Sequence, residues 1–117
     1  MSQTILLIED DADVREVLQF SLEMEGVAVE VAADGARGIA LATTLRPDVV
    51  IVDLHLPGVD GFEVARHLRE RLGASVRLVA LTGFGRLEDR EATAAAGFDD
   101  HLMKPVGAET ILALLAA

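Results

Sequence analysis

Residues 47–57, PDVVIVDLHLP, contain an unbroken run of β-branched residues at 49–52, which Asp53 follows directly. A short apolar run bounded in this way is typical of a strand that is buried on both faces, as strands are in a parallel sheet. Four similar runs occur elsewhere, and we expect each to form a strand: TILLIE at 4–9, VAVEVA at 27–32, VRLVAL at 76–81 and FDDHLM at 98–103. The chain therefore has five predicted strands.

Stretches with helical spacing separate the apolar runs. The apolar faces that we expect to pack on the sheet are Val14, Val17, Leu18, Ser21 and Leu22; Ala36, Ile39, Ala40 and Thr43; Val64, Ala65, Leu68 and Leu72; the alanine-rich stretch 89–96; and Ile111, Leu112, Leu114 and Leu115. Gly26, Pro47, Gly73 and Gly97 are placed to end the first four helices. This alternation predicts an α/β fold of the flavodoxin-like (βα)5 type, a doubly wound, five-stranded parallel sheet with strand order 2-1-3-4-5.

The composition excludes several classes of protein and of partner. The 117 residues suffice for one domain, 1–117, and 51% of them are hydrophobic, which excludes a disordered chain. The formal net charge of -10 makes nucleic acid a poor partner, because the phosphate backbone would repel the domain. Cysteine is absent, and no signal peptide or membrane span is evident, so we expect a cytoplasmic protein without membrane contact.

The ends of the predicted strands carry the chemically useful residues. Ligands of such sheets bind beyond the carboxyl ends of the strands, where the strand order reverses. There the chain places Glu9, Asp10 and Asp11 after the first strand and Asp53 at the end of the third; the fourth strand ends in Thr82 and Gly83, and Lys104 follows the fifth. Converging carboxylates repel one another unless a cation lies between them, and oxygen ligands favour Mg²⁺.

These residues suit phosphoryl transfer. The Asp53 carboxylate can act as a nucleophile toward phosphorus. Such a transfer otherwise needs positioning and positive charge, which Mg²⁺, the Lys104 ammonium, the Thr82 hydroxyl and the Gly83 N–H can supply. Each residue also has a plain structural interpretation: the acidic residues after the first strand favour a helix N-terminus, and Asp11 or Asp13 is expected to cap the first helix.

Four segments resemble the receiver domains of response regulators in two-component phosphorelays: ILLIEDDADVREVL, PDVVIVDLHLPGVDGFEV, LVALTG and GFDDHLMKP. The resemblance covers essentially the whole chain and implies that Asp53 is the phosphoacceptor. It implies Mg²⁺ bound by Glu9, Asp10, Asp53 and the His55 backbone carbonyl, and contacts of Thr82 and Lys104 with the phosphoryl group. It also implies a cis peptide bond before Pro105.

The resemblance further implies a histidine kinase or a histidine phosphotransfer protein as partner, and is compatible with a weak or phosphorylation-dependent dimer. The chain departs from the family pattern at His101, where a Tyr or Phe usually acts as a rotameric switch. Segments similar to GFDDHLMKP also occur in receivers fused to sensor histidine kinases, so the chain is either a stand-alone regulator or part of a longer protein. Phe84 and His55 occupy positions that tune dephosphorylation in the family, and we expect Phe84 to shield the acyl phosphate.

We therefore predict a signalling module that catalyses its own phosphorylation and slow hydrolysis. Two alternatives stay open: an unphosphorylated pseudo-receiver that only binds partners, and an aspartate-nucleophile phosphatase. The phosphatase usually needs a second acid two residues after the nucleophile, where this chain has His55.

Overall fold

Strands and helices alternate along the described part of the chain, residues 3–83 and 89–116. In this computed structural model the strands are β1 (Thr4–Ile8), β2 (Ala28–Ala32), β3 (Val49–Asp53), β4 (Arg77–Thr82) and β5 (Asp100–Met103). The helices are α1 (Ala12–Met24), α2 (Gly35–Leu45), α3 (Gly61–Leu72), α4 (Asp89–Ala96) and α5 (Ala108–Ala116), with a 3-10 turn at Gly73–Ser75. The predicted elements are thus confirmed in number and order.

All neighbouring strands are parallel, and the sheet order is β2-β1-β3-β4-β5. This confirms the predicted flavodoxin-like topology. Every residue of β3 is buried, as the β-branched run predicted, because helices cover both of its faces. The order places β1 beside β3, so the ends of these two strands meet in the middle of one sheet edge.

Two apolar layers enclose the sheet. On one face α1 and α5 pack on a cluster that includes Ile5, Ile51 and Ile111. On the other face α2, α3 and α4 cover a second cluster, in which Leu68 and Val52 are fully buried. None of the helices in the described residues is both long and apolar enough to cross a bilayer.

The sequence predicts Val17 both on the core face of α1 and on a second stripe with Phe20 and Met24, whose exposed part is expected to meet a phosphodonor; the core assignment of Val17 is wrong. Leu18 and Leu22 are buried, whereas 64% of Val17 is exposed to solvent. Val17 continues instead as an exposed stripe with Phe20 and Met24, 66% and 71% exposed. The apolar residues of α1 cover a wider part of the helix circumference than the part that contacts the sheet, and Val17 lies outside that contact.

The face predicted for α2 is also shifted. Ala36 and Ala40 are exposed, and the buried residues are Gly35, Gly38 and Ala42. A Cβ atom on Gly38 would overlap the side chain of Ile8, so the missing side chain lets α2 approach β1 closely. The prediction for α2 was based on the spacing of apolar side chains, and a glycine has none, so the contact of Gly38 with Ile8 was not predicted.

The start of α3 depends on a second glycine, Gly61. A Cβ atom here would lie 2.5 Å from the backbone oxygen of Asp53 and 2.6 Å from the Cα of Leu54, neither of which can move without shifting β3. We expect Gly61→Ala to lower the free energy of unfolding by about 2 kcal/mol, because the added methyl group has no room between the start of α3 and the end of β3. Urea unfolding followed by circular dichroism measures this change.

Gly83→Ala is the matched control for Gly61→Ala. Its added methyl group meets no atom within 4 Å, so we expect a change within about 0.5 kcal/mol. Equal unfolding midpoints for the two variants would show that α3 can move away from β3 at no cost.

Candidate functional site

The ends of β1, β3, β4 and β5 converge on one spot. Asp53 is paired with Leu81, so Thr82 lies one residue beyond it on the neighbouring strand. The backbone N–H of Lys104 donates to the Thr82 carbonyl oxygen at 2.8 Å, which places Lys104 beside the end of β4. The Lys104–Pro105 peptide bond is cis, as the family resemblance implied.

The Lys104 side chain joins the two buried carboxylates of the site. Its Nζ atom lies 2.8 Å from Asp53 Oδ2 and 2.6 Å from Glu9 Oε1. The carboxylates lie deep, since Glu9 is 0% exposed and Asp53 4%. Two acidic side chains that come from different strands therefore share a single ammonium group, which can offset the charge of only one of them.

Glu9 carries an oxygen that is incompletely satisfied. Its Oε2 atom accepts a bond of 3.2 Å from the Asp11 N–H. Its Oε1 atom has the ion pair with Lys104 but accepts no hydrogen bond of acceptable geometry from the described residues. Burial, to which the neighbouring Asp53 adds, raises the pKa of Glu9 to about 7, although Lys104 opposes the rise. Glu9 is thus a buried carboxyl group whose charge depends on the neighbouring ammonium group of Lys104.

Asp53 is held in its ionised form. Burial acts to raise its pKa, but hydrogen bonds from Lys104 and from the His55 N–H outweigh burial and lower the pKa. The two oxygens differ, because Oδ1 accepts the His55 N–H at 2.9 Å while Oδ2 faces Lys104. An ionised carboxylate in a fixed orientation is what a nucleophile toward phosphorus requires.

Glu9, Asp10 and Asp53 fit a hard metal ion. Each offers a carboxylate oxygen, and these oxygens lie within 4.8 Å of one another. Asp10 is exposed and open to solvent, whereas the other two are buried. An oxygen-only set with one solvent-facing ligand suits Mg²⁺, which keeps several of its water molecules.

The structural interpretation of the acidic residues holds for Asp11 alone. Asp11 is the N-cap of α1, and its side chain accepts hydrogen bonds from the N–H groups of Asp13 and Val14. Its carboxylate is thus engaged by the helix, while those of Glu9 and Asp10 point to the cluster with Asp53. Sequence reasoning missed Arg15, whose Nη1 atom donates to the Glu9 carbonyl oxygen at 2.9 Å.

The other predicted residues surround this centre at different depths. Thr82 is fully buried, His55 is exposed, and Gly83 is half-buried. His101 is half-buried on β5, with its Nδ1 atom 3.3 Å from the hydroxyl of Thr93 on α4. Its switching role stays a prediction. Phe84 lies outside the described residues.

Known proteins are similar to this chain in fold and in sequence. The family model of the response regulator receiver domain matches residues 5–116. The chain belongs to the receiver domain family. The response regulator MprA of Mycobacterium sp. (strain KMS) is 40% identical over 117 residues, which are 100% of this chain and 50% of that protein. The DNA-binding dual master transcriptional regulator RpaA of Synechocystis sp. is 40% identical over 114 residues, 97% of this chain and 47% of that protein.

Solved receiver structures superpose closely on this chain. The chemotaxis response regulator CheY4 of Vibrio cholerae has a TM-score of 0.90 at 30% identity, covering 99% of this chain and 98% of that one. A CheY-like receiver domain protein of Methanospirillum hungatei has a TM-score of 0.88 at 28% identity, covering 99% and 92%. This receiver domain spans about half the length of the curated relatives named above.

Membership places the chain in two-component signalling. Receiver domains generally bind Mg²⁺ at an acidic cluster, which in this chain corresponds to Glu9, Asp10 and Asp53. They interact with histidine kinases or histidine phosphotransfer proteins. The family thus supplies the class of reaction, and the geometry above indicates which side chains are available for it.

Proposed function

We propose that Asp53 accepts a phosphoryl group from a phosphohistidine of a histidine kinase or phosphotransfer protein. The observation that carries this proposal is the ionised, buried Asp53 carboxylate with the Lys104 ammonium 2.8 Å from its Oδ2 atom. Among the described residues it is the carboxylate at the centre of the sheet edge where such folds bind ligands.

The transfer needs little covalent chemistry from the protein. A carboxylate oxygen of Asp53 attacks phosphorus, the P–N bond breaks, and its electron pair stays on the imidazole of the donor. The product is an acyl phosphate on Asp53. We propose that Lys104 contacts the phosphoryl oxygens, and that Thr82 and the Gly83 N–H, at the end of β4, donate hydrogen bonds to them.

We assign the Mg²⁺ site to Glu9, Asp10 and Asp53, with the His55 carbonyl oxygen as a further ligand. The clustering of the three carboxylates supports this assignment, because a cation among oxygens that lie within 4.8 Å of one another would relieve their mutual repulsion. Bound there, Mg²⁺ would neutralise charge on the phosphoryl oxygens during transfer.

Acetyl phosphate tests the proposal without a protein donor. Incubation with acetyl phosphate and Mg²⁺, followed by intact mass measurement, is expected to show one added phosphoryl group. No adduct is expected when the metal is chelated before the donor is added. An unchanged mass would favour a pseudo-receiver. Release of phosphate with many turnovers and no adduct would favour a phosphatase.

Asp10→Asn tests the metal assignment. We expect weaker Mg²⁺ binding, because one hard ligand loses its charge, together with a higher melting temperature in the absence of metal, because repulsion among three carboxylates is relieved. Isothermal titration calorimetry and thermal melts with and without Mg²⁺ measure both effects. Parent-like Mg²⁺ affinity would show that Asp10 is not a ligand.

The exposed stripe of α1, formed by Val17, Phe20 and Met24, is the surface that we assign to the phosphodonor. A groove of about 470 Å³ adjoins it, lined by Val14, Leu18, Pro105, Val106 and Lys104 among others. Because Lys104 belongs to both the groove and the site, a helix seated on α1 would bring its phosphohistidine close to Asp53.

Val17→Ser is expected to slow transfer from the protein donor several-fold while leaving the rate with acetyl phosphate unchanged, since it removes docking contacts and touches no reacting group. Single-turnover kinetics with both donors measure this. Leu45→Ser, which alters a residue of α2 that is 44% exposed, is the control and should change neither rate. Equal slowing with both donors would exclude α1 as the docking surface.

A further inference from the structure

The turn between β1 and α1 is held by polar contacts on both sides. The Glu9 N–H donates to the Ala32 carbonyl at the end of β2, and the Asp11 N–H donates to the Glu9 carboxylate. Asp11 caps α1 and also accepts, through its carbonyl, the first helical bond from the Arg15 N–H at 2.9 Å. The peptide group between Glu9 and Asp10 joins the two residues that we assign as Mg²⁺ ligands.

Arg15 fixes the oxygen of that peptide group. Its side chain turns back toward the start of the helix, and Nη1 donates to the Glu9 carbonyl at 2.9 Å in a half-buried setting. The carbonyl follows the last residue of β1, Ile8, so it lies beyond the strand pairing that would otherwise engage it. A change of ψ at Glu9 that φ at Asp10 does not compensate would move Asp10 relative to Glu9, so the bond from Arg15 restrains the relative position of these two residues.

The position of Arg15 argues for a specific role. A cation near the N-terminus of a helix is opposed by the helix dipole, and Arg15 lies in the first turn of α1. Arginine pairs a charge with a planar donor group, which suits a directed bond to a carbonyl. The hydrogen bond from Arg15 to the Glu9 carbonyl oxygen is the favourable interaction that offsets the unfavourable one with the helix dipole.

We propose that Arg15 is a positioning residue of the Mg²⁺ site, which holds the Glu9–Asp10 peptide in the orientation that directs both carboxylates to one ion. The inference rests on the proposed function, because it takes Glu9 and Asp10 as ligands. Outer groups that orient metal ligands commonly account for about tenfold in affinity, and we expect Arg15→Gln to weaken Mg²⁺ binding by about that factor.

Charge and position act in opposite directions in this variant, which makes the sign of the result informative. Removing a cation near an acidic cluster attracts Mg²⁺ more strongly, so a role through charge alone predicts tighter binding. Arg15→Lys keeps the charge and one donor and should restore most of the affinity. Arg71→Gln removes the same charge from the exposed last turn of α3, at the far end of the sheet, and should bind Mg²⁺ like the parent.

Calorimetry with Mg²⁺ on the four proteins gives the affinities, and amide hydrogen exchange without metal reports on the turn itself. We expect faster exchange at Asp11 in Arg15→Gln than in the parent or in Arg71→Gln, because its acceptor, the Glu9 carboxylate, is less well held. Parent-like or tighter Mg²⁺ binding by Arg15→Gln would overturn the inference. A parent protein that binds no Mg²⁺ would overturn the proposed function instead.

Discussion

Asp53→Asn is expected to abolish formation of the phosphoryl adduct with acetyl phosphate and with a phosphohistidine donor. The amide that replaces the carboxylate is neutral and is a poor nucleophile toward phosphorus. The parent carboxylate is kept ionised by Lys104 and by the His55 N–H, and the variant loses that charge along with one of the proposed metal ligands. Intact mass measurement after incubation with each donor detects the loss directly.

Asp48→Asn is the matched control, because Asp48 immediately precedes β3 and so lies at the opposite end of the strand from Asp53. Its carboxylate accepts the Thr4 N–H at 2.8 Å, a bond that an asparagine oxygen can also accept. This variant should be phosphorylated like the parent. An adduct that persists in Asp53→Asn would place the phosphoacceptor on another side chain.

Lys104→Met is expected to lower the free energy of unfolding by about 3 kcal/mol above neutral pH, since it leaves two buried carboxylates without their cation. The side chains of Glu9 and Asp53 are 0% and 6% exposed, so water solvates these carboxylates poorly once the ammonium group is gone. Asp53 also loses the hydrogen bond that contributes most to lowering its pKa.

The loss should depend on pH. The pKa of Glu9 is already raised to about 7, and because Lys104 opposes that rise, removing the lysine raises it further. In the folded variant Glu9 therefore binds a proton that the unfolded chain releases near its ordinary pKa of 4.5. The folded state then holds more protons than the unfolded chain, so the free energy of unfolding falls as pH rises from 4.5 through the folded pKa. The parent shows the same fall only up to its own Glu9 pKa of about 7, so the additional loss of the variant develops above that pH. Urea unfolding at about pH 5.5 and about pH 8 should show the smaller loss at the lower pH.

Glu9→Gln in the Lys104→Met background is the companion variant. It removes one of the two unpaired charges, and we expect it to recover a large part of the lost stability at the higher pH. A loss that is equal at the two pH values, or that the second substitution does not reduce, would mean that Lys104 stabilises the fold through packing rather than through charge.

Local patterns determined the elements of this protein. The β-branched run of β3 predicted a strand buried on both faces, because residues 49–52 are all apolar and neither face of the strand carries a polar residue there. Gly26, Gly73 and Gly97 all adopt positive φ next to the ends of the helices that they were predicted to end, and only glycine does so without strain. The strand ends then indicated where the acidic residues meet.

Tertiary packing decided which predicted neighbours make contact. The exposure of Val17 and the burial of Gly38 depend on how α1 and α2 lie on the sheet, and spacing within one helix carries no information about that. The same holds for the contacts of the site. The two partners of the Lys104–Asp53 bond are 51 residues apart in sequence, and the second contact of the same ammonium group, with Glu9, exists because β1 lies beside β3. Sequence identifies residue types and periods along the chain, whereas distances between strands arise only when the sheet and its helices close around a common core.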